Sequence, residues 1–460
     1  MFDILSALLF TFVVISGLIL SYKLEKDWSS PIFLVLIWVL IFIVGDVWYS
    51  VYSKNYGPGE SVRFFLSENQ LGTASNIWMM ATIMMLLGYY INNNIWDQIF
   101  LSKKINKVDQ NFNDFSRMLS ASKVTLSISF VITLVTLIYI SLSTLKLGYT
   151  LTEVSQLRNN IFSNGNGYLL ISVQMFKYAI LFWLFYYIKF NKDNNDKKSI
   201  NIVNVILIIF VSLMIDLFLG TRSSFVYGFL LPLLILINTH YRKIKLKKLL
   251  FLGIFIFIFI GIIYRTIARD QYFLANKGGD LKSLLIENLM SAPDFFWGGF
   301  EASSFDGAID IIQKINFSNY YLYGKTFIDG LTSPIPRSIF ENKVRGGGNY
   351  LYTTNFYPDF YGEIRSEYSI SFLGELYYNG GLIFVGIGFL ILGIFLSVLK
   401  KVNLLYSNSV FIIFYGVIIS RVYSLLRGDF YNFISQLFIS IICLTTILLI
   451  MRFFKKFKFE

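Results

Sequence analysis

Arginine is the residue type in this chain whose placement could do chemistry. Ten of the 13 arginines fall on one side of a series of apolar spans, with 7 of the 27 lysines. The other side carries 3 arginines and 19 lysines, and one lysine, Lys177, sits within a span. Lysine in cytoplasmic loops is ordinary topology signalling. Arginine gathered on the opposite face is not explained that way. Its guanidinium is planar, permanently charged and able to donate in pairs to phosphate or carboxylate oxygens. A face rich in it suits a polyanionic ligand. Arg222 and Arg427 rank first, because each lies in a tight turn at a span end; Arg269, Arg337, Arg345 and Arg421 follow. The bland alternative for any one of them is snorkelling to lipid phosphate or pairing with an acid, and Arg265, at the end of a span, fits that best.

Proton transfer on that face has few candidates. The single histidine, His240, stands beside the basic run 242–248 on the lysine-rich side, and the single cysteine, Cys443, lies in the last span. A Ser-His-Asp triad, a histidine-held metal on the arginine face and any disulfide are therefore excluded. A base must be a carboxylate or an oriented water. Glu375 is the first choice, and Asp429 follows, although beside Arg427 it could be a salt-bridged turn residue. Asp359, Glu363 and Glu367 remain open, since their i, i+4, i+8 spacing also fits one polar helix face. No Asp-X-Asp or carboxylate cluster with metal spacing occurs on that face, so neither a metal nor a cofactor is expected.

These residues need a frame. With 55% hydrophobic and 15% charged residues, the 460-residue chain is too apolar for a soluble protein, and its net charge of +12 falls largely in short loops between apolar runs, so no nucleic-acid partner is expected. About 17–25 apolar residues make a span. The spans read as 2–22, 32–50, 72–91, 124–143, 168–188, 200–219, 223–238, 249–267, 382–399, 404–420 and 430–451, the first as a retained helix rather than a cleaved leader. The expected fold is all-α: a single polytopic membrane domain over 1–460, with about 11 transmembrane helices. Basic loops alternate with the count, which puts the N-terminus outside and the C-terminus in the cytoplasm. Asp46, Lys177 and Asp216 lie inside spans, and either a structural ion pair or contact with an anionic ligand would explain them.

The long connection 268–370 is the one large external segment. Ala302, Phe305, Ile309, Ile312 and Ile315 recur at helical spacing and predict an amphipathic helix over Glu301–Ile315, broken locally at Gly298-Gly299 and Asp306-Gly307. Arg345-Gly346-Gly347-Gly348-Asn349 reads as a cation-headed loop whose glycines permit close approach to a phosphate, or as a mobile linker. Tyr350, Tyr352 and Tyr357 head a dense aromatic run. Such rings suit sugar faces or a membrane interface.

The chain resembles the O-antigen polymerase (Wzy) family of oligosaccharide repeat-unit polymerases. Three stretches carry the resemblance: Gly220-Thr221-Arg222-Ser223-Ser224 between two spans, Ser371-Phe372-Leu373-Gly374-Glu375-Leu376-Tyr377-Tyr378-Asn379-Gly380-Gly381-Leu382 closing the large segment, and Arg427-Gly428-Asp429 at the last external turn. Arg337 and Gly348 also match an Arg–ten residues–Gly pattern of some members. The resemblance implies a polytopic glycosyltransferase of the bacterial inner membrane. Such an enzyme moves a growing glycan from undecaprenyl diphosphate to a hydroxyl of a new lipid-linked repeat unit, for O-antigen or capsule. Partners would be undecaprenyl-diphosphate-linked oligosaccharides, membrane lipids, a flippase and a chain-length regulator. The competing readings are a ligase-like glycan transferase, disfavoured by the lack of an outer histidine, and a lipid-linked-oligosaccharide flippase, disfavoured by the lack of an evident internal repeat.

Overall fold

A computed structural model of the chain describes residues 2–53, 70–100, 112–146, 154, 169–193, 202–219, 222–240, 244–245, 248, 253, 286, 290, 297, 304–318, 320–335, 339–340, 346–364, 367–405 and 410–456. Among them 90% are helical and none lies in a strand, in 14 helices of which 7 are long and apolar enough to cross a membrane. In chain order the fourteen begin with α1 (Phe2–Glu25), α2 (31–53), α3 (Gln70–Phe100), α4 (Phe112–Lys146), α5 (Leu169–Asp193), α6 (Ile202–Phe218) and α7 (222–240); the seven long enough to span are α1 to α5 and, further on, the helices that begin at Ser371 and Phe430. After α7 come α8 (Ser304–Ser318), α9 (Lys325–Thr332), α10 (Gly348–Phe356), α11 (Pro358–Ile364), α12 (Ser371–Leu405), α13 (Phe411–Arg427) and α14 (Phe430–Lys455). Ten of the eleven expected spans fall on helices, and the eighth, 249–267, lies outside the described residues apart from Gly253.

The helices group into two compact units. Unit 1 comprises residues 1–104, 246–404 and 422–436. The Ser30 hydroxyl caps α2 by accepting from Phe33 N at 3.3 Å, and Pro31 follows at the first position, where its missing N–H costs nothing. Helices α1 and α3 are tied at their N-terminal ends by Asp3 Oδ1, which accepts from Gly72 N at 2.7 Å. At the other end of α1, Glu25 Oε1 receives the Tyr89 hydroxyl at 2.5 Å and the Lys400 ammonium at 3.0 Å. The C-terminal ends of α1 and α12 thus meet. Helices α3 and α12 touch backbone to backbone, since a Cβ on Gly393 would lie 2.0 Å from Met85 O. The outer faces of α1 and α12 present Phe12, Ile19, Ile383, Ile387 and Ile391. That largely apolar pattern suits lipid, with Ser16 an exposed hydroxyl on the α1 face.

Helix α12 is two helices in line. Gly381 has φ +64° and ψ −152°, a conformation closed to other residues, and the helix bends there. Its 35 residues exceed what a bilayer core needs, so the bend separates the stretch 371–379 from the apolar stretch after it.

The amphipathic helix expected in the large segment is present as α8. Phe305, Ile309, Ile312 and Ile315 are all buried, and α8 packs against α3 and the middle of α2. Asp306-Gly307 does not break it. Both residues are buried within the helix, where Gly307 lies against the backbone of Ser369.

Unit 2 comprises residues 105–245, 405–421 and 437–460. Helix α5 is its central element, buried along Val173–Tyr186 against α4, α6 and α7. The α4–α5 seam is built from small hydroxyls. Thr133 Oγ1 donates back to Ser129 O at 2.8 Å while lying 3.1 Å from Ser172 O, and Ser172 Oγ donates to Thr136 Oγ1 at 3.0 Å. Helix α7 opens with one α-helical turn and continues through a π-helical stretch, Val226–Leu230.

Candidate functional site

In unit 1 three stretches far apart in sequence meet: the glycine turn ahead of α10, the first half of α12, and the turn between α13 and α14. Asp429 caps α14. Its Oδ1 accepts from Asn432 N at 2.9 Å, and its Oδ2 accepts from Asn349 N at 3.0 Å, in the first turn of α10. Glu375 Oε2 accepts from Phe430 N at 2.7 Å, while the Thr326 hydroxyl and the Gly348 N–H face the same carboxyl. Two helix N-termini therefore aim their positive ends at two buried carboxyl groups. Glycine is needed at the contact. A Cβ on Gly347 would stand 2.4 Å from the Tyr431 Cβ and 2.7 Å from Asp429 Oδ2; one on Gly348 would stand 2.9 Å from the Glu375 Cγ. The close approach that the sequence offered to a phosphate is taken in this structure by the protein's own acids. Burial holds the Asp429 carboxyl above the ordinary carboxylate range, and the N–H groups of Asn349 and Asn432 pull it back.

Amide side chains lock the arrangement. Asn379 Nδ2 donates to Thr326 Oγ1 at 2.7 Å and to Glu375 O at 2.8 Å, while its Oδ1 accepts from Gly324 N at 2.9 Å. Asn349 Oδ1 accepts from Ile370 N at 3.0 Å. Arg427 ends α13 half-buried. Its carbonyl accepts from the Ser369 hydroxyl, and its Nη1 lies 3.4 Å from the Tyr423 hydroxyl.

The aromatic run closes over an acid. Asp310 on α8 accepts from the Tyr352 hydroxyl and from that of Tyr357 at 2.8 Å, and Lys314 Nζ stands 4.4 Å from the Tyr357 ring centre. Burial raises the Asp310 carboxyl, opposed by those two hydroxyls and by Lys314. Tyr352 is thus part of the interior, its polar tip satisfied as a buried tyrosine requires. Tyr350 and Tyr357 are half-buried, and Tyr350 meets the edge of Tyr361 at 5.4 Å.

Unit 2 carries a separate polar cluster. Lys177 Nζ lies 2.7 Å from both Asp216 oxygens and donates to Ser224 Oγ at 2.9 Å, joining α5, α6 and α7. Arg421 was expected in an external turn. Helix α13 runs some seven residues later than the predicted 404–420, so Arg421 is inside the helix and 6% exposed. Its Nε donates to Ser440 Oγ at 3.0 Å and its Nη2 to the Tyr178 hydroxyl at 2.9 Å. The π-helical stretch of α7 brings Gly228 opposite this guanidinium, 4.0 Å from Nη2 to its Cβ position. Such bulges often mark functional sites.

Among the expected site residues, the structure brings Glu375 and Asp429 together, with Arg427 two residues along the same turn. Arg222 opens α7, with its side chain outside the described part; Arg269, Arg337 and Arg345 lie wholly outside the described residues. Thr326, Asn349 and Asn379 were not foreseen. Asn379 had a signal, an amide directly before a glycine pair at a span entrance; Thr326 had none. Among the described residues, no three His, Cys, Asp or Glu side chains group as metal ligands would.

No curated protein and no solved structure matches the chain. The family profile described as O-antigen polysaccharide polymerase Wzy matches residues 2–458, and its reach takes in the α12 stretch, the α13–α14 turn and the start of α7. A multi-pass helical chain matched over nearly its whole length by that profile belongs to the O-antigen polysaccharide polymerase Wzy family, polymerases that work on lipid-linked oligosaccharides in a membrane.

Proposed function

We propose that this polymerase transfers the growing glycan from undecaprenyl diphosphate to a sugar hydroxyl of a new lipid-linked repeat unit, without a metal. The bond from the anomeric carbon to the diphosphate oxygen breaks, and its electron pair leaves with the diphosphate. The acceptor oxygen bonds to the anomeric carbon and gives up its proton. Leaving charge, rather than a leaving-group proton, is what needs help, and preorganised cations supply it. Arg427 and Arg222 take that role, with Arg269, Arg337 and Arg345 as further contacts to the diphosphate and sugars; Arg421, buried against Ser440 and Tyr178, drops out of the expected set. Glu375 takes the acceptor proton once substrate entry has freed one of its oxygens from the turn it holds; hydrogen bonds in a resting site do not disqualify a base. Tyr350 and Tyr357 line the sugar path. The site faces outward in a bacterial inner membrane, with the N-terminus outside and the C-terminus in the cytoplasm, next to a flippase and a chain-length regulator.

The observation that supports this most is the meeting of three stretches marked independently in the sequence, through Asn349–Asp429 at 3.0 Å and Phe430–Glu375 at 2.7 Å. The test uses purified protein in proteoliposomes with synthetic lipid-diphosphate repeat units and a chelator. A ladder of longer glycans with released lipid diphosphate is expected. Relocation of substrate across the bilayer without elongation would overturn the reading, and elongation only with added divalent metal would overturn its metal-free part.

A further inference from the structure

Helix α9 is inside out for a helix in water. Thr326 and Asp329 are 0% and 8% exposed, while Ile328 and Leu331, three apart on the opposite face, are 64% and 63% exposed, and Lys325 stands exposed at the start of that face, where its long stem can carry the ammonium to the headgroups. Thr326 is turned inward by Asn379, and Gly330 is pressed against the Phe430 ring. The orientation is thus set by specific contacts.

The depth of α9 is set too. The strap leading into it pairs with the bend of α12: Leu322 N donates to Tyr378 O and Tyr323 N to Asn379 O, both at 3.0 Å. Directly after that bend the lipid-facing row of α12 begins with Leu382 and Ile383, the latter 72% exposed. The exposed face of α9 therefore continues the apolar surface of a spanning helix at the level where that helix enters the hydrocarbon. Tyr320 and Tyr323, both exposed, stand where aromatic rings gather at a membrane interface.

We propose that α9 is an in-plane helix, seated with Ile328 and Leu331 in the acyl layer of the leaflet that Leu382 enters. Bilayer lipid is the occupant. Burying the apolar face there removes it from water, and the polar face holds Thr326 against Glu375. The bilayer surface is then mechanically joined to the carboxyl cluster through one short helix. The inference does not depend on the sugar chemistry.

Nitroxides placed at Ile328→Cys and, separately, Leu331→Cys in a Cys443→Ser background, in proteoliposomes, read collisions with oxygen and with a water-soluble nickel chelate. Reference labels go at Ile387, on the lipid face of α12, and at Asp359, exposed on α11. Oxygen-to-chelate ratios close to that of Ile387, several-fold above that of Asp359, are expected at both positions. A ratio like that of Asp359 overturns the proposal. So does protection from both reagents, which would mean that protein, such as a second copy, covers the face. Should one cysteine variant fail to fold, the other carries the test, and brominated lipid must quench a tryptophan at Leu331→Trp.

Discussion

Removing one partner of the buried ion pair in unit 2 should unfold it. Lys177 and Asp216 are 2% and 0% exposed, and the ammonium lies 2.7 Å from the carboxylate. At that distance the attraction is about 6 kcal/mol with an effective dielectric of about 20. It offsets the cost of taking both charges out of water, so the pair adds little net stability while it is whole. Asp216→Asn leaves a buried ammonium without its countercharge and should cost about 3–5 kcal/mol. Lys177→Met strands the carboxylate at a similar cost. The double variant Lys177→Met/Asp216→Leu strands neither and should recover most of the loss. Because Lys177 also holds Ser224, two residues after Arg222, the single variants should lose elongation along with stability. The assay is unfolding in detergent, read as a double-mutant cycle. Singles costing under about 1 kcal/mol, or a double variant as unstable as the sum of both, would refute the account of the pair.

Arg427→Lys and Arg222→Lys should fold normally and lose about 10²–10³ in elongation rate, measured as glycan ladder growth, since an ammonium cannot make the paired contact; near-normal chain lengths in both would remove them from the site. Glu375→Gln should keep its hydrogen bond from Phe430 N, bind lipid-linked substrate and fail to elongate; full turnover would leave Glu375 a positioning role alone. Gly347→Ala forces a methyl group against the Tyr431 Cβ at 2.4 Å and should cost about 1–3 kcal/mol in thermal unfolding, and unchanged stability would contradict the contact. Burial on α8 raises the Asp306 carboxyl to about 7, next to Asp46. Its contribution to stability is whole below the ordinary carboxylate range and is lost as pH rises through about 7. Stability should fall between about pH 4 and 7, at up to about 1.4 kcal/mol per pH unit, and level off above, read as melting temperature, and Asp306→Asn should flatten that fall; an identical slope in the variant would contradict it.

Apolar run length made most of the membrane helices legible, because lipid favours apolar residues on their outer faces. Helix α8 was legible for a related reason: its apolar residues keep a 3.6-residue period within a polar segment. Helix α13 was misplaced because its run is apolar well past residue 420. Arg421 looked like an end, whereas the distant Tyr178 and Ser440, which no local pattern ties to it, help a guanidinium sit inside. Asp306-Gly307 looked like a break for the same kind of reason. Turn propensity is local, whereas the space that Gly307 supplies is for the backbone of Ser369. At the site, Glu375 and Asp429 were legible as rare acids near the ends of spans. Their partners were not, because Thr326 and Asn349 act through backbone and hydroxyl contacts that leave no compositional trace.

In the proposed reaction the turn held by Glu375 and Asp429 presents Arg427 to a lipid diphosphate. The most direct measurement is equilibrium binding of undecaprenyl diphosphate to the purified protein and to its Arg427→Ala variant, at fixed ionic strength. Loss of charge-assisted hydrogen bonds should weaken binding by about 10- to 100-fold in the variant. Equal affinity in the two proteins would contradict the account.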